Sequence, residues 1–270
     1  MDSTAIADLI LARLTESSAT LTEQMSIGHR VRSGCVDDLL PHNLAHALFE
    51  SFPDPNRMVL KRSIKENKLV GAQMDQFNPA LEEAVYAFQD PRVVQAIEAA
   101  TGLRDLEPDV DLYAGGISLM TKGGYLRPHL DNSHDAARQR YRVLNLLYYV
   151  TPNWQPEWGG SLQLWDDGPH GPCRTIPSTF NRLVLMVTNR RSWHSVNEIT
   201  HEGRRCCISN YYFSKHSPDE GAYFHATSFR AEQPSLSDRV MAVDNALRTT
   251  ILKVAPGAYK NPHVYKRPQS

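Results

Sequence analysis

Cysteine is scarce in this chain. Its 270 residues hold four, Cys35, Cys173, Cys206 and Cys207, and none stands in a Cys-x-x-Cys pair, which argues against a zinc or thiol-redox site. Cys206 and Cys207 are neighbours in a strand-like run and must project to opposite faces, so a bond between them is not expected. All four read as small buried hydrophobes in a reducing compartment. A surplus of one charge is missing too. Lys and Arg number 29 against 30 Asp and Glu, a formal net charge of -1, so no global basic character points to nucleic acid, and Lys61-Arg62 and Arg190-Arg191 read as solvated surface. No apolar run approaches the roughly 20 residues of a membrane span, and the start, Met-Asp-Ser-Thr-Ala, has no basic leader. With 41% apolar residues, the expectation is one globular cytoplasmic domain over residues 1–270, without nucleic-acid or membrane partners. Composition leaves the oligomeric state open.

What is present falls into three parts. Residues 1–108 read as mostly helical support. A helix over residues 3–22, capped by Ser3, carries Ile6, Leu9, Ile10, Leu14 and Leu21; a second has Pro41 in its first turn and runs to Pro53; Asn78-Pro79 and Asp90-Pro91 start two more, the last stopped by Gly102. Between them, residues 62–73 are too charged for a buried strand and too apolar for a free linker, which suits a lid or a surface hairpin. From 109 to 215 the punctuation changes to short apolar or alternating runs separated by Gly, Pro and Asp. Strands are expected at 110–113, 117–121, 125–131, 143–150, 161–165, 173–176, 183–188 and 205–213. About eight strands with helices on one side suit a mainly β, jelly-roll or cupin-like core. Residues 216–270 supply a final helix at 235–253, with Leu236, Val240, Val243, Leu247 and Ile251 at helical spacing, and a loose tail from Pro256.

One stretch organises the rest: Gly124-Tyr-Leu-Arg-Pro-His-Leu-Asp-Asn132, with its distant partner Ser192-Trp-His-Ser-Val196. His129 and Asp131 stand two apart, so in an extended segment both leave the same face and can grip one ion. His194 adds a third ligand from another strand. Two imidazoles and a carboxylate on one side of an ion leave its other side open, an arrangement that suits non-haem iron(II) handling oxygen. Gly203-Arg-Arg205 then opens a further strand, where a guanidinium could hold a carboxylate in a two-pronged grip. Alternation favours Arg205 over Arg204. With Arg205 inward, Cys207, Ser209 and Tyr211 share its face and leave room for a flat co-substrate, whereas Arg204 inward would bring Ile208 into that space. Gly159-Gly160 precedes a strand rather than a helix and reads as a turn, not a phosphate loop. His170, His201, His216 and His225 lack ligand spacing and are assigned to surface or local hydrogen bonding.

From Gly124 to Phe213 the chain resembles the prolyl-4-hydroxylase-like branch of the iron(II) and 2-oxoglutarate-dependent dioxygenases. Four pieces carry the likeness: Gly-Tyr-Leu-Arg-Pro-His-Leu-Asp-Asn132, Leu147-Tyr-Tyr-Val-Thr-Pro-Asn-Trp154, Trp158-Gly-Gly-Ser-Leu-Gln-Leu164, and His194 with Arg205 and Tyr-Tyr-Phe213. Pro128, directly before His129, departs from the pattern. The resemblance implies a double-stranded β-helix core, iron(II) on His129, Asp131 and His194, 2-oxoglutarate held by Arg205 and Tyr149, oxygen as oxidant and ascorbate as reductant. It implies oxidative decarboxylation of 2-oxoglutarate to succinate and carbon dioxide. An aspartate at 131 favours hydroxylation over halogenation. Asn145 shares the face of Tyr149; with Tyr211 it is a candidate for lining the pocket, while Tyr125, Arg127, Asn132, His134 and Trp193 flank the ligands as candidates for touching substrate.

The expected reaction is hydroxylation of an unactivated C–H. A small molecule, a free amino acid or natural-product intermediate, is expected ahead of a peptide because no peptide-binding appendage is visible. A peptidyl-prolyl hydroxylase is the alternative. A metal-binding jelly roll serving as sensor or scaffold, and a cupin-like isomerase, come from other classes, and both leave Arg205 and Tyr149 without a task.

Overall fold

The computed structural model describes residues 1–254 and 264–267. Its first helix, α1 (Ser3–Glu16), is capped not by Ser3 but by Asp2, whose carboxylate accepts the Ala5 N–H at 2.9 Å. The single helix expected to residue 22 breaks at Ser17, and α2 (Ser18–Ser26) follows. The bend keeps both Leu14 and Leu21 in the core. Next come β1 (Ser33–Val36), α3 (His42–Glu50), β2 (Val59–Arg62) and β3 (Glu66–Gly71). Then α4 (Pro79–Ala87) and α5 (Pro91–Thr101) start on side-chain caps from Asn78 and Asp90, each with Pro at its first turn, and Gly102 ends α5 with φ +68°.

The strands β4 (Glu107–Pro108), β5 (Gly116–Met120), β6 (Tyr125–Leu130), β7 (Tyr141–Tyr149), β8 (Leu162–Leu164), β9 (Arg174–Ile176), β10 (Arg182–Val187), β11 (His194–Val196), β12 (Arg205–Ser214) and β13 (Ser228–Phe229) precede a last helix, α6 (Leu236–Val254). The strand expected at 110–113 is absent. Asp109 explains it: its carboxylate accepts the backbone N–H groups of Tyr113, Ala114 and Gly115, which turns the chain instead of extending it. The lid or hairpin at 62–73 is a hairpin, and β3 is built into the sheet through pairing with both β5 and β6. Gly159 and Gly160 form a turn with φ +82° and +76°.

All the pairings are antiparallel, and the main path runs β1-β10-β7-β12-β5-β3-β6-β11-β8-β9. The sheet curls on itself as a jelly roll. Period-two alternation divides each central strand between two environments. Leu144, Leu146 and Tyr148 of β7, Leu183 and Leu185 of β10, and Cys206 and Ile208 of β12 join Ile6, Ile10, Val85 and Ile97 in the core under the helices. Tyr149, Val184, Met186 and Cys207 point the other way, into the curl, and meet Leu162 and Leu164 of β8. All four cysteines are free thiols, and Cys206 and Cys207 fall on the two opposite sides.

The apolar spacing that marks α6 does not mark its buried face. Leu236, Val240, Val243 and Leu247 are 78%, 54%, 69% and 58% exposed, while Asp238, Met241 and Asn245 are buried. Polar contacts dock the helix: Asp238 takes Arg230 and the Ala231 N–H, and the Asn245 amide exchanges both of its hydrogen bonds with the Phe229 backbone. The tail expected to be loose from Pro256 lies outside the described residues except for 264–267, where Tyr265 is buried and reaches Glu82. No helix among the described residues is long and apolar enough to cross a membrane.

Candidate active site

Strand pairing assembles the site. His194 of β11 is directly opposite His129 of β6, and Asp131 follows just beyond the end of β6. The ring centroids of the two histidines lie 4.0 Å apart. His129 Nε2 is 3.7 Å from one Asp131 oxygen and His194 Nε2 is 3.5 Å from the other. One donor atom from each of the three residues falls within 4.8 Å of the others, close enough to share an ion.

The outer ring nitrogens are also settled. His129 Nδ1 lies 3.0 Å from the Arg127 carbonyl and His194 Nδ1 lies 2.9 Å from the Ser192 carbonyl. A carbonyl only accepts, so each Nδ1 carries the proton and each Nε2 turns its lone pair toward the common point, the orientation a metal requires. Burial, and for His129 the neighbouring His194, hold both imidazoles below their ordinary value of 6.5 and keep them neutral. Burial opposes ionisation of Asp131. Arg142 above all, with the Asn145 amide, outweighs it and pulls that carboxyl well below its ordinary range. Arg142 stands 3.1 Å and Asn145 2.7 Å from the same Asp131 oxygen.

Two cavities meet at this trio. The inner one, about 170 Å³, is lined by His194 and Asp131 and contains Arg205, Cys207, Ser209 and Tyr211 of β12, with Asn145 and Leu147 of β7 across from them. Arg204 points away, over the Phe49 ring and toward the Phe52 carbonyl. Arg205 is 3% exposed, its guanidinium carbon sits 4.5 Å above the Tyr149 ring, and both its Nε and the Tyr149 hydroxyl are buried without a hydrogen-bond partner. Burial drives the Tyr149 phenol above its ordinary value, so it stays protonated and able to donate. Two unsatisfied buried donors cost free energy unless an acceptor arrives. A carboxylate is an acceptor of the kind both lack, and because Arg205 borders the same inner cavity as His194 and Asp131, a diacid suits it.

The outer cavity, about 430 Å³, is lined by His129 and Asp131, by Asn132 and His134, and by groups from β2, β3 and α6. Asn132 accepts from Arg142 and donates to the His134 carbonyl. Tyr211 borders both cavities under the Arg142 guanidinium, 3.7 Å from its ring centre, and burial pushes its phenol up to about 12. Three candidates border neither cavity. Tyr125 donates to the Ser63 carbonyl, Arg127 pairs with Glu232, and Trp193, the neighbour of a ligand on a strand, faces away and offers its carbonyl to Trp165.

Sequence reasoning missed several groups. His225, assigned to surface or local hydrogen bonding, lines the outer cavity with its Nε2 buried and unpartnered. Phe229 stacks on the His129 ring at 5.2 Å. Arg142 was missed for a physical reason: the register of β7 against β12 shifts by one at Val143, and this bulge swings Arg142 onto the face of Asn145, where plain alternation would send it to the helices. Lys61 and Lys68 belong to the hairpin and border both cavities.

Residues 115–213 match the model of the 2OG-Fe(II) oxygenase superfamily. Among curated proteins, the mouse prolyl 3-hydroxylase OGFOD1 is 29% identical over 125 residues, covering 44% of this chain and 21% of that protein. The matched stretch thus spans about a fifth of the relative's length. A prolyl-4-hydroxylase from Pseudomonas putida superposes with a TM-score of 0.55 at 19% identity, over 74% of this chain and 100% of that one. A prolyl hydroxylase from Trichoplax adhaerens, in complex with a peptide fragment of hypoxia inducible factor, gives a TM-score of 0.52 at 18% identity over 76% and 92%. These structures share the fold. The expectation that a small molecule comes ahead of a peptide is corrected by the names of these proteins, prolyl hydroxylases of which one is seen with a peptide bound. Lack of an appendage was a poor guide, because a wide outer cavity beside the ligands needs none to admit a peptide.

Proposed function

We propose, from the premise that residues 115–213 are a 2OG-Fe(II) oxygenase domain, that this 2-oxoglutarate-dependent hydroxylase acts on a prolyl residue within a peptide or protein. The family uses iron(II), 2-oxoglutarate and oxygen. In the proposed site, His129, Asp131 and His194 hold the iron through Nε2, a carboxylate oxygen and Nε2. Arg205 and Tyr149 hold the far carboxylate of 2-oxoglutarate, with Cys207 and Ser209 leaving it space. When bound, iron with 2-oxoglutarate and oxygen supplies the oxidising power to place a hydroxyl on an unactivated carbon, with succinate and carbon dioxide as the other products.

The chain's own residues divide the remaining work. Asn145 and Arg142 fix the Asp131 carboxylate and keep it ionised; the Arg127 and Ser192 carbonyls fix the imidazoles. Trp154, Val196 and Ile199, packed with Met120, add apolar packing next to the inner cavity, of which Met120 and Val196 form part of the wall. The outer cavity receives the substrate, and Asn132, His134 and His225 are the polar groups placed to orient it. With helices of residues 1–108 backing the sheet and every thiol free, the proposed setting is the cytoplasm.

The observation that carries this reading is the position of the trio between two cavities: His194 faces the inner one, His129 the outer one, and Asp131 borders both. Residues that hold an ion there would set it between a cavity for co-substrate and a cavity for substrate. The test is succinate release from 2-oxoglutarate with iron(II) under air, alongside mass spectrometry of proline-containing peptides. A gain of one oxygen on proline, matched by succinate, is expected; succinate release with no peptide oxidised would overturn the peptidyl assignment.

A further inference from the structure

The outer cavity holds more positive charge than its own carboxylates can answer. Lys61 of β2 is directly opposite Lys68 of β3, and like charges facing each other across a pair of strands cost stability. Both border the outer cavity and the inner one. Lys68 has Glu66 at 3.1 Å. Lys61 has no ion-pair or hydrogen-bond partner among the described residues. Burial and the charge of Lys68 lower its affinity for a proton against the opposing charge of Glu66, while the same Lys68 charge is felt at His129 and His194. A lysine pair is therefore pressed together close to the ligands, half out of water, with one carboxylate between two ammonium groups.

The rest of the rim does not supply the missing anion. Asp131 is taken by Arg142, and Asp135 by Arg140 at 2.9 Å. Arg138 donates to the Leu252 carbonyl at 2.6 Å and lies over the Phe224 ring, with no carboxylate against it among the described residues. Each acid on the rim is in contact with another cation, whereas Lys61 and Arg138 have no carboxylate in ion-pair contact among the described residues, and Glu66 is felt by Lys61 only while paired to Lys68. Such an arrangement is retained at a cost unless something brings a negative charge to it.

We infer that the outer cavity selects an acidic peptide, in which an Asp or Glu close to the oxidised residue places its carboxylate between Lys61 and Lys68. This rests on the peptidyl reading above and adds the charge of the sequence around the target. Lys61 and Lys68 are specificity-determining groups: they bind the flank, not the reacting carbon. Arg138, which lines the same cavity, extends the preference to a second acidic position. Because the rim is partly open to water, the preference weakens as salt is raised.

The test uses three sets of proline-centred peptides that differ only in having Glu, Gln or Lys on either side of the proline. Two readouts are taken on the full chain: anisotropy of the labelled peptides on binding, and oxygen incorporation with iron(II) and 2-oxoglutarate. The wild type is expected to favour the Glu set over the Gln set by about tenfold, the discrimination of one charge-assisted hydrogen bond, with the difference carried by KM and not by kcat. In Lys61→Gln the preference shrinks to about twofold or less, and in Lys61→Glu the Lys set becomes the better one. Equal binding of all three sets by the wild type overturns the inference, as does a Lys61→Gln effect confined to the KM for 2-oxoglutarate. The two readouts separate the claims: charge-selective binding without oxygen incorporation contradicts the proposed reaction alone, and oxygen incorporation without charge selectivity contradicts the acidic-peptide inference alone.

Discussion

The inner and outer cavities share Asp131 and Tyr211 yet are built in opposite ways. The inner one has a wall of regular strands, where Arg205, Cys207, Ser209 and Tyr211 leave one face of β12 at period two beside Asn145 and Leu147 of β7, and the hairpin residues Lys61, Lys68 and Val70 border it as well. On this side the Arg205 Nε and the Tyr149 hydroxyl are buried and lack a partner. The outer one is made by a hairpin, by the loop after β6, by residues 224–227 and by the last turns of α6. Its charges reach water. On the proposed reading, the difference separates generic from particular chemistry: the sheet face takes a co-substrate of fixed shape, and the loops of the outer cavity meet a substrate of variable sequence.

The contrast can be broken at its hinge first. Asp131→Ala removes the carboxylate that both cavities share, and the expected result is loss of iron binding and of all succinate release, read by metal analysis and product assay. Next in size, Arg205→Ala is expected to raise the 2-oxoglutarate requirement by about 100-fold, because truncating one side of a buried charge pair costs roughly 2–5 kcal/mol. Arg204→Ala, facing the Phe49 ring on the other side, should change it by less than about threefold, as expected of a substitution outside the site. Equal effects would mean that β12 is read in the wrong register. Smaller again is Asn145→Ala, which frees Asp131 without touching a ligand; metal affinity should drop about 10- to 100-fold, as for other groups that orient a ligand.

A pH series sharpens the same contrast. His129 and His194 are held below 6.5 by burial and Asp131 below 3.8 by Arg142 and its neighbours, against that same burial. The unfolded chain therefore binds these protons at higher pH than the folded one. Their contribution to stability is complete above a pH of about 6.5 and is lost as pH falls toward the folded values. Denaturant midpoints of the metal-free protein should decline between about pH 7 and pH 5, and His194→Gln should flatten that decline. The smallest effect is expected at Trp193, next to a ligand but outside both cavities: Trp193→Phe should leave the KM for 2-oxoglutarate within about twofold, a change of less than about 0.5 kcal/mol.

Legibility followed the same division. The convergence of His129, Asp131 and His194 could be read because His-x-Asp and a later His are a local pattern that a jelly roll can bring together, and the facing of Arg205 because period two fixes it once one neighbour is placed. Arg142 could not be read. The bulge at Val143 reverses its face, and nothing in the local residues announces an extra residue in a ladder. His225, Lys61 and Lys68 arrive from loops and a hairpin, where position depends on tertiary contacts that no periodicity reports. The strand at 110–113 failed because three backbone bonds to Asp109 outcompeted extension. For α6, the apolar spacing marked the helix but not its buried face: Asp238 and Asn245 dock it, and Leu236, Val240, Val243 and Leu247 face outward.

The most direct test of the central claim is an anaerobic titration of the protein with iron(II) and then 2-oxoglutarate, followed by the visible charge-transfer absorption of the ternary complex. The account predicts one iron per chain, a band that appears only when 2-oxoglutarate is added, its loss in both His129→Ala and His194→Ala, and in Arg205→Ala a band that needs far more 2-oxoglutarate at unchanged iron content. Iron bound as tightly by both histidine variants, or a band indifferent to Arg205, would contradict it.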